Sequence, residues 1–148
     1  MKKITTSITA LLMLVSCQTK KVSLPIEGTW QLLTGTLIEK NDTSVTDYTI
    51  NKKFIKIING SHFAFLSHDL NKGKDSTGFF SAGGGSYSLA DSLYTEHLEF
   101  CSDRQWEHND FQFTITIRND TLVQKGIEKV AGTGIDRLNI EKYLRVKE

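Results

Sequence analysis

Apolar and polar residues alternate along most of the chain, as in strands that bury one face and leave the other in water. The clearest case runs from Phe111 to Arg118, where Phe111, Phe113, Ile115 and Ile117 share one face. Similar alternation predicts further strands over residues 29–37, 53–58, 62–67, 87–90, 94–100, 121–125 and 140–146. No segment keeps a long helical period, so the pattern predicts an all-β chain of eight or more short strands.

Turn residues separate these strands at short intervals. Asn59-Gly60 is a strong hairpin signal because both residues accept positive φ, and Asp91-Ser92 and Asn119-Asp120 predict two more turns. Residues 125–140 fit either two short strands around Ala131-Gly132 or a strand and a loop. For residues 42–50 a short helix is an open alternative.

An antiparallel meander of this length must protect the edges of its sheet. Closing into an up-and-down antiparallel β-barrel of about eight to ten strands is one standard solution. The length of 148 residues favours one domain, which we place at residues 26–148. A barrel of about eight strands either fills its interior with side chains or holds one small ligand.

The first residues, MKKITTSITALLMLVSC, predict an export signal. Lys2 and Lys3 precede a short apolar stretch, Ile8 to Val15, which falls short of the roughly 20 residues that span a bilayer. The stretch from Leu14 to Cys17 resembles the lipobox of bacterial lipoproteins. That resemblance implies a signal peptide over residues 1–16, a lipid on Cys17 and a tether over residues 17–25. An ordinary signal peptide with an incidental cysteine is the alternative.

The implied location is the cell envelope, with the protein lipid-anchored to a bacterial membrane, the outer membrane being the expectation, and facing away from the cytoplasm. Stable anchoring takes two or more acyl chains, which a multiply acylated Cys17 would supply. With Cys17 lipidated, Cys101 has no intramolecular disulfide partner and is expected to be a small buried apolar residue.

The charge balance disfavours nucleic acid as a partner. The formal net charge is +1, and no long basic run is present. Removing residues 1–16 removes two lysines and no acid, which leaves 16 Lys and Arg against 17 Asp and Glu and a formal charge of −1. Any hold on the membrane would therefore come from the lipid and not from basic residues.

The predicted first strand opens with Gly28-Thr29-Trp30, which resembles the Gly-x-Trp motif of lipocalins and their calycin relatives. In those proteins the tryptophan closes one end of the barrel and a late arginine packs across it, which implies that role for Arg145. In outline the C-terminal half also resembles fatty-acid-binding calycins, which often carry an Arg-x-Tyr pair on the last strand. Here Glu141 stands two residues before Tyr143, a departure that disfavours recognition of a fatty-acid carboxylate.

Residues 26–148 as a whole resemble lipocalin-like lipoproteins and secreted proteins of Bacteroidetes. The matching pieces are the Gly-x-Trp start, the glycine run with its flank, Gly83 to Tyr87, and the segment Tyr94 to His97. The resemblance implies a lipocalin-like barrel in which small molecules bind.

The residues around each candidate motif disfavour nucleotide binding and catalysis. No lysine follows the glycine run Gly83 to Gly85, and a strand follows instead of a helix, so the run predicts a bulge or sharp bend. No Gly-x-Ser-x-Gly elbow is present. Glu96 and His97 are adjacent on a strand and therefore point to opposite faces. The four histidines lack metal-ligand spacing. We predict no catalytic residue, metal or cofactor.

The remaining candidate site is the barrel interior. On the strand over residues 94–100, the even positions Tyr94, Glu96, Leu98 and Phe100 should face inward. A buried Glu96 needs a partner, for which Arg145, Tyr143 or a polar ligand group are the candidates. The full set of predicted ligand-binding residues is Trp30, Leu32, Tyr94, Glu96, Leu98, Phe113, Ile115, Tyr143 and Arg145.

These observations predict a protein that binds a small hydrophobic or amphipathic molecule in its lumen and is not an enzyme. The alternative is a non-enzymatic accessory or assembly module of the cell envelope that holds a protein partner on the outside of a filled barrel.

Overall fold

The computed structural model describes residues 24–147, so the predicted signal peptide, Cys17 and most of the tether lie outside the described residues. The described chain is built almost entirely of strands. Their bounds are β1 Gly28–Glu39, β2 Asp42–Asp47, β3 Lys52–Ile58, β4 His62–Asp69, β5 Phe80–Ala90, β6 Leu93–Cys101, β7 Asn109–Arg118, β8 Thr121–Val130 and β9 Ile135–Arg145. A short 3-10 helix, Arg104–Trp106, lies between β6 and β7. The described residues contain no helix long and apolar enough to span a membrane.

The strands form one antiparallel sheet that closes on itself. From β3 to β9 each strand pairs with the next along the chain, and β1 pairs with both β3 and β9. This arrangement is a closed eight-stranded up-and-down barrel of β1 and β3–β9. The remaining strand, β2, pairs with the C-terminal half of β1 beyond the end of β3. The predicted lipocalin-like architecture is thereby confirmed.

The two segments whose structure the sequence left open, residues 42–50 and 125–140, both contribute to strands. Residues 42–47 form β2, so no helix occurs there. Residues 125–140 contribute to β8 and β9, which are joined by a turn at residues 131–134. Gly132 and Gly134 adopt φ of +80° and +81° in that turn, a conformation that glycine reaches without strain. Of the two alternatives, the pair of strands is the correct one.

The glycine run lies within β5 and opposite a bulge in β6. Gly84 pairs with Phe100 but Gly85 pairs with Leu98, which leaves Glu99 as an extra residue in β6. A Cβ at Gly85 would overlap the carbonyl oxygen of His97, so the bulge and the glycine require each other. Of the predicted bulge or bend, the structure shows a bulge, and its extra residue lies in β6 opposite the glycine run.

The bulge also reverses the alternation after Leu98. Phe100 was expected to face inward, and that expectation is wrong: its side chain is 67% exposed on the outer wall. Cys101 turns toward the interior in its place. One extra residue in a strand is enough to exchange the two faces, since the side-chain period is two.

One end of the barrel is closed by packing around Trp30. The indole Nε1 donates a 2.7 Å hydrogen bond to the carbonyl oxygen of Ile26. The guanidinium carbon of Arg145 lies 4.0 Å from the centroid of the Trp30 ring, which confirms the arginine packing that the family resemblance implied. The same guanidinium donates 2.6 Å hydrogen bonds to the carbonyl oxygens of Pro25 and Glu27. The residues that precede β1 are thus held against the closed end.

The half of the interior next to this closed end is filled. Its largest fully buried side chains are Trp30, Leu32, Tyr94, Ile115, Leu122 and Tyr143. The other half of the interior is only partly filled.

Candidate binding cavity

The interior contains a cavity of about 310 Å³ that is partly open to solvent. Its wall is made by inward-facing positions of β3 to β9 and by the residues around the short 3-10 helix. Five aromatic side chains supply most of the apolar wall: Phe54, Phe65, Trp106, Phe111 and Phe113. The polar wall includes Lys56, Ser81, Glu96, Asp103, Gln124, Glu128, Arg137 and Glu141.

The aromatic rings are packed against one another rather than spread singly. Phe54 and Phe65 are stacked, with centroids 5.7 Å apart and planes at 11°. Trp106 and Phe111 are tilted, with centroids 5.6 Å apart. Such pairs hold each other in place, so this part of the wall is preformed for an apolar ligand.

A buried ion pair crosses the lumen between β3 and β6. Lys56 Nζ lies 2.7 Å from Glu96 Oε1 and 3.2 Å from Gln124 Oε1. The side chains of Lys56 and Glu96 are 3% and 9% exposed. Burial raises the pKa of Glu96, and Lys56 opposes that rise. Burial alone would lower the pKa of Lys56, but the Glu96 and Glu141 carboxylates outweigh it and the pKa is raised, so the ammonium keeps its charge.

Glu96 is therefore partnered, although not as the sequence suggested. Neither Arg145 nor Tyr143 reaches it: Arg145 lies at the closed end, and the hydroxyl of Tyr143 donates to Glu141. Both candidate partnerships were wrong. Lys56 fills the role because its ammonium lies at the level of Glu96 inside the barrel, whereas Arg145 is held outside that level by the backbone oxygens before β1.

A second ion pair lies on β8 and β9. Arg137 Nη2 lies 2.8 Å from Glu128 Oε2, and Asn139 donates a 2.7 Å hydrogen bond to Glu128 Oε1. Burial raises the pKa of Glu128, as does the Glu141 charge, while Arg137 opposes the rise. The guanidinium of Arg137 also lies over the Trp106 ring, 5.2 Å from its centroid. The mouth-side wall is thus tied to the 3-10 helix.

The third glutamate of the wall, Glu141, has a different environment. Its Oε2 accepts a 2.7 Å hydrogen bond from the Tyr143 hydroxyl. Within the part of the chain that the structure describes, no lysine or arginine lies within 4.0 Å of its carboxylate. Burial, and then the charge of Glu141, raise the pKa of Tyr143, so that hydroxyl stays neutral and donating.

The predicted ligand-binding residues divide between the cavity and the filled half. Glu96, Leu98 and Phe113 lie on the cavity wall. The filled half takes five others, namely Trp30, Leu32, Tyr94, Ile115 and Tyr143, and Arg145 covers the closed end. Contact between a ligand and any of the nine stays a prediction.

Several cavity residues were missed by the sequence reasoning, above all Lys56, Glu128, Arg137 and Trp106. A signal existed for Lys56, because alternation places it on the same face of its strand as Phe54 and Ile58. No such signal marked Trp106, which reaches the cavity from a loop with no alternating pattern.

His97 and Cys101 are not part of the polar wall of the cavity. His97 faces away from Glu96, as alternation predicts, and its Nδ1 lies 2.8 Å from Asp110 Oδ1 on the outer wall. Cys101 is a free thiol on the cavity wall, and burial raises its pKa, which keeps it protonated. No group of three His, Cys, Asp or Glu among the described residues is arranged to hold a metal ion.

Comparison with known proteins identifies no family for this chain. No protein-family model matches the chain, and no curated protein matches its sequence. Among solved structures, the chain is similar to a mutant of the fluorescent protein UnaG at 10% identity and a TM-score of 0.38. That match covers 83% of this chain and 97% of the other. A match this distant does not establish a family or a function for this chain. The class of the protein is defined by its own strand pairing, as a lipocalin-like, closed up-and-down barrel with a partly open lumen.

Proposed function

We propose that this protein binds a small hydrophobic or amphipathic molecule in the barrel lumen and that its role is binding, not catalysis. The observation that carries the proposal is the cavity of about 310 Å³ with five aromatic side chains on its wall. Ligand pockets of proteins span about 300–1,000 Å³ and are mostly apolar with a few placed polar groups. The cavity lies at the lower end of that range, which favours a small ligand.

Filling the cavity with a side chain should abolish binding. Ser81 lies on the cavity wall in β5, so Ser81→Phe places a ring where the ligand would lie. We expect the neutral fluorescent probe N-phenyl-1-naphthylamine to bind the parent protein and to lose at least about tenfold in affinity, equal to about 1.4 kcal/mol, in the variant. Fluorescence titration measures both affinities.

Ser88→Phe is the matched control, because Ser88 lies on the same strand but is exposed. It adds the same ring outside the lumen and should leave the affinity unchanged. Equal binding by Ser81→Phe and the parent protein, with the variant folded by circular dichroism, would place the probe elsewhere and contradict the proposal.

We further propose that the protein is anchored by a lipid on Cys17 and faces away from the cytoplasm, with the outer membrane as the expected site. The lipobox-like stretch Leu14 to Cys17 supports this proposal. In a bacterial host, Cys17→Ser should move the protein from the membrane fraction to the soluble fraction, whereas Cys101→Ser should not. Mass spectrometry of the membrane-bound form should show an acylated N-terminal cysteine. Membrane association that survives Cys17→Ser would rule out the anchor.

A second candidate function is supported by the outer wall. Exposed apolar side chains lie on β3 to β6, among them Phe80 at 66% and Phe100 at 67% exposure. Ile57, Ala64, Gly84 and Phe100 are successive partners across these strands, so they form one apolar row. Such a row suits a protein partner. Native mass spectrometry of the protein from its own host separates the two functions: a co-purified small molecule supports lumen binding, and a stoichiometric protein supports the second.

A further inference from the structure

The charges that face the lumen do not balance. Four carboxylates, those of Glu96, Asp103, Glu128 and Glu141, lie on the cavity wall with two cations, Lys56 and Arg137. Asp103 is exposed and accepts a 2.9 Å hydrogen bond from Gln105 Nε2. Each cation has one carboxylate within 4.0 Å, at 2.7 Å for Lys56 and Glu96 and at 2.8 Å for Arg137 and Glu128. The Glu141 charge acts on Lys56 from farther away and contributes to its raised pKa. Glu141 is the glutamate left over.

Glu141 has no charged residue as a strand partner. Its pairing partners are Gly35 on β1 and Gln124 on β8. Gly35 has no side chain, and the ring of Tyr48 covers that position instead, with its Cε2 3.1 Å from where a Cβ would stand. The strand partners of Glu141 are thus a glycine and an amide, and its carboxylate accepts from the Tyr143 hydroxyl. Among the described residues, no lysine or arginine lies within 4.0 Å of that carboxylate.

The negative charge of Glu141 reaches the other groups of the lumen. It contributes to the raised pKa of Glu96, Glu128 and Tyr143. A positive charge placed next to Glu141 would relieve this repulsion, and a second carboxylate would add to it.

The rings near this carboxylate also suit a cation. Phe54 lies with its centroid 6.3 Å from that of Tyr143 and 5.8 Å from that of Tyr48, so three aromatic rings border the same region. Lys52 and Lys56 already face the Tyr48 and Tyr143 rings, each with its Nζ 5.4 Å from the ring centroid, so a ligand cation would use the Phe54 ring. Aromatic faces attract ammonium groups by about 0.5–2 kcal/mol, more where water is excluded.

We propose that the lumen selects small amphipathic molecules with a protonated amine, and that Glu141 is the residue that receives the ammonium group. This inference rests on the proposed lumen binding. The apolar part of the ligand would lie against the aromatic wall, and its ammonium would donate to the free lone pairs of the Glu141 carboxylate. Fatty acids, with a carboxylate in the same place, would be excluded.

The test uses three probes that share a ten-carbon chain and differ in the head group: decylamine, decanol and decanoate. Calorimetric titration at neutral pH should show decylamine binding at least about tenfold tighter than decanoate, with decanol between them, as charge-assisted hydrogen bonds require. Glu141→Gln should reduce the preference for the amine to about threefold or less by the same reasoning. Glu99→Gln, which removes an exposed carboxylate of β6, should keep the full preference.

Each outcome decides a separate point. If neither the three probes nor N-phenyl-1-naphthylamine bind, the proposed lumen binding fails and this inference with it. If only the naphthylamine binds, lumen binding stands and this inference is overturned. If all three bind but decanoate is equal or tighter, lumen binding stands and the amine preference is overturned. If the preference survives Glu141→Gln, the assignment to Glu141 is wrong. The series on the parent protein decides the preference even if the variant does not fold.

Discussion

Lys56→Met is expected to lower the free energy of unfolding by about 3–5 kcal/mol, because it leaves the buried Glu96 carboxylate without its cation. The side chain of Glu96 is 9% exposed, so water replaces the lost ammonium only in small part. Chemical denaturation of the two proteins at pH 7 measures the difference. Lys53→Met, on the exposed face of the same strand, should change stability by less than about 0.5 kcal/mol.

The stability lost in Lys56→Met should also depend on pH and should be larger at higher pH. Burial already raises the pKa of Glu96, and without Lys56 that pKa rises further. The unfolded chain ionises Glu96 at its ordinary pKa of about 4.3, so stability is lost as the pH rises from there through the higher pKa of the folded state. The variant should therefore be less impaired at pH 5 than at pH 8.

Replacing both partners tests whether the pair itself stabilises the fold. Lys56→Met combined with Glu96→Leu removes both charges and should recover most of the loss, since well-packed apolar residues often replace buried ion pairs at no cost. A single variant Lys56→Met that loses less than about 1 kcal/mol would show that Glu96 has another compensating partner.

Gly85→Ala is expected to destabilise the protein by about 1–3 kcal/mol, the usual range for overpacking. The added Cβ would overlap the carbonyl oxygen of His97 and lie 2.9 Å from the amide nitrogen of Glu99. Both are backbone atoms of β6, so no side chain can move aside and the bulge itself must shift. Thermal and chemical denaturation would report the loss.

Gly60→Ala, unlike Gly85→Ala, should not destabilise the protein. A Cβ there meets only Glu27 Oε1 at 3.9 Å, and its φ is not in the left-handed region. Alanine should be neutral or stabilising by up to about 1 kcal/mol through the unfolded state. If Gly85→Ala matched Gly60→Ala, the glycine run would not be required by the bulge.

The features that sequence reasoning predicted well are local ones. Strict alternation located the strand from Phe111, and the Asn59-Gly60 turn joins β3 and β4 where it was expected. The glycine run was correctly taken as part of a strand next to an irregularity, because no lysine or helix follows it. Each of these signals is contained in a few neighbouring residues.

The features that were missed depend on residues far apart in the chain. Lys56 and Glu96 meet across the lumen from strands that are not neighbours, which no alternation can show. The outward turn of Phe100 depends on one extra residue in β6, and periodicity could not place it. Gly126 lies inside β8, where a Cβ would overlap the carbonyl oxygen of Gln112 and come within 2.7 Å of the Phe113 ring, a close approach that no local pattern shows.

The pairing of β1 with β9 has a consequence for how the chain folds. Trp30 pairs with Arg145, so the contact that closes the barrel joins residues from opposite ends of the described chain. Such non-local pairing carries a loop-closure cost before it returns any stabilisation, and chains dominated by it fold slowly, in milliseconds to seconds. Until β9 arrives, β1 and β8 each present an unpaired edge that other chains could join. Because β9 is synthesised after the other described strands, the barrel stays incomplete, and its edges open to aggregation, until β9 joins.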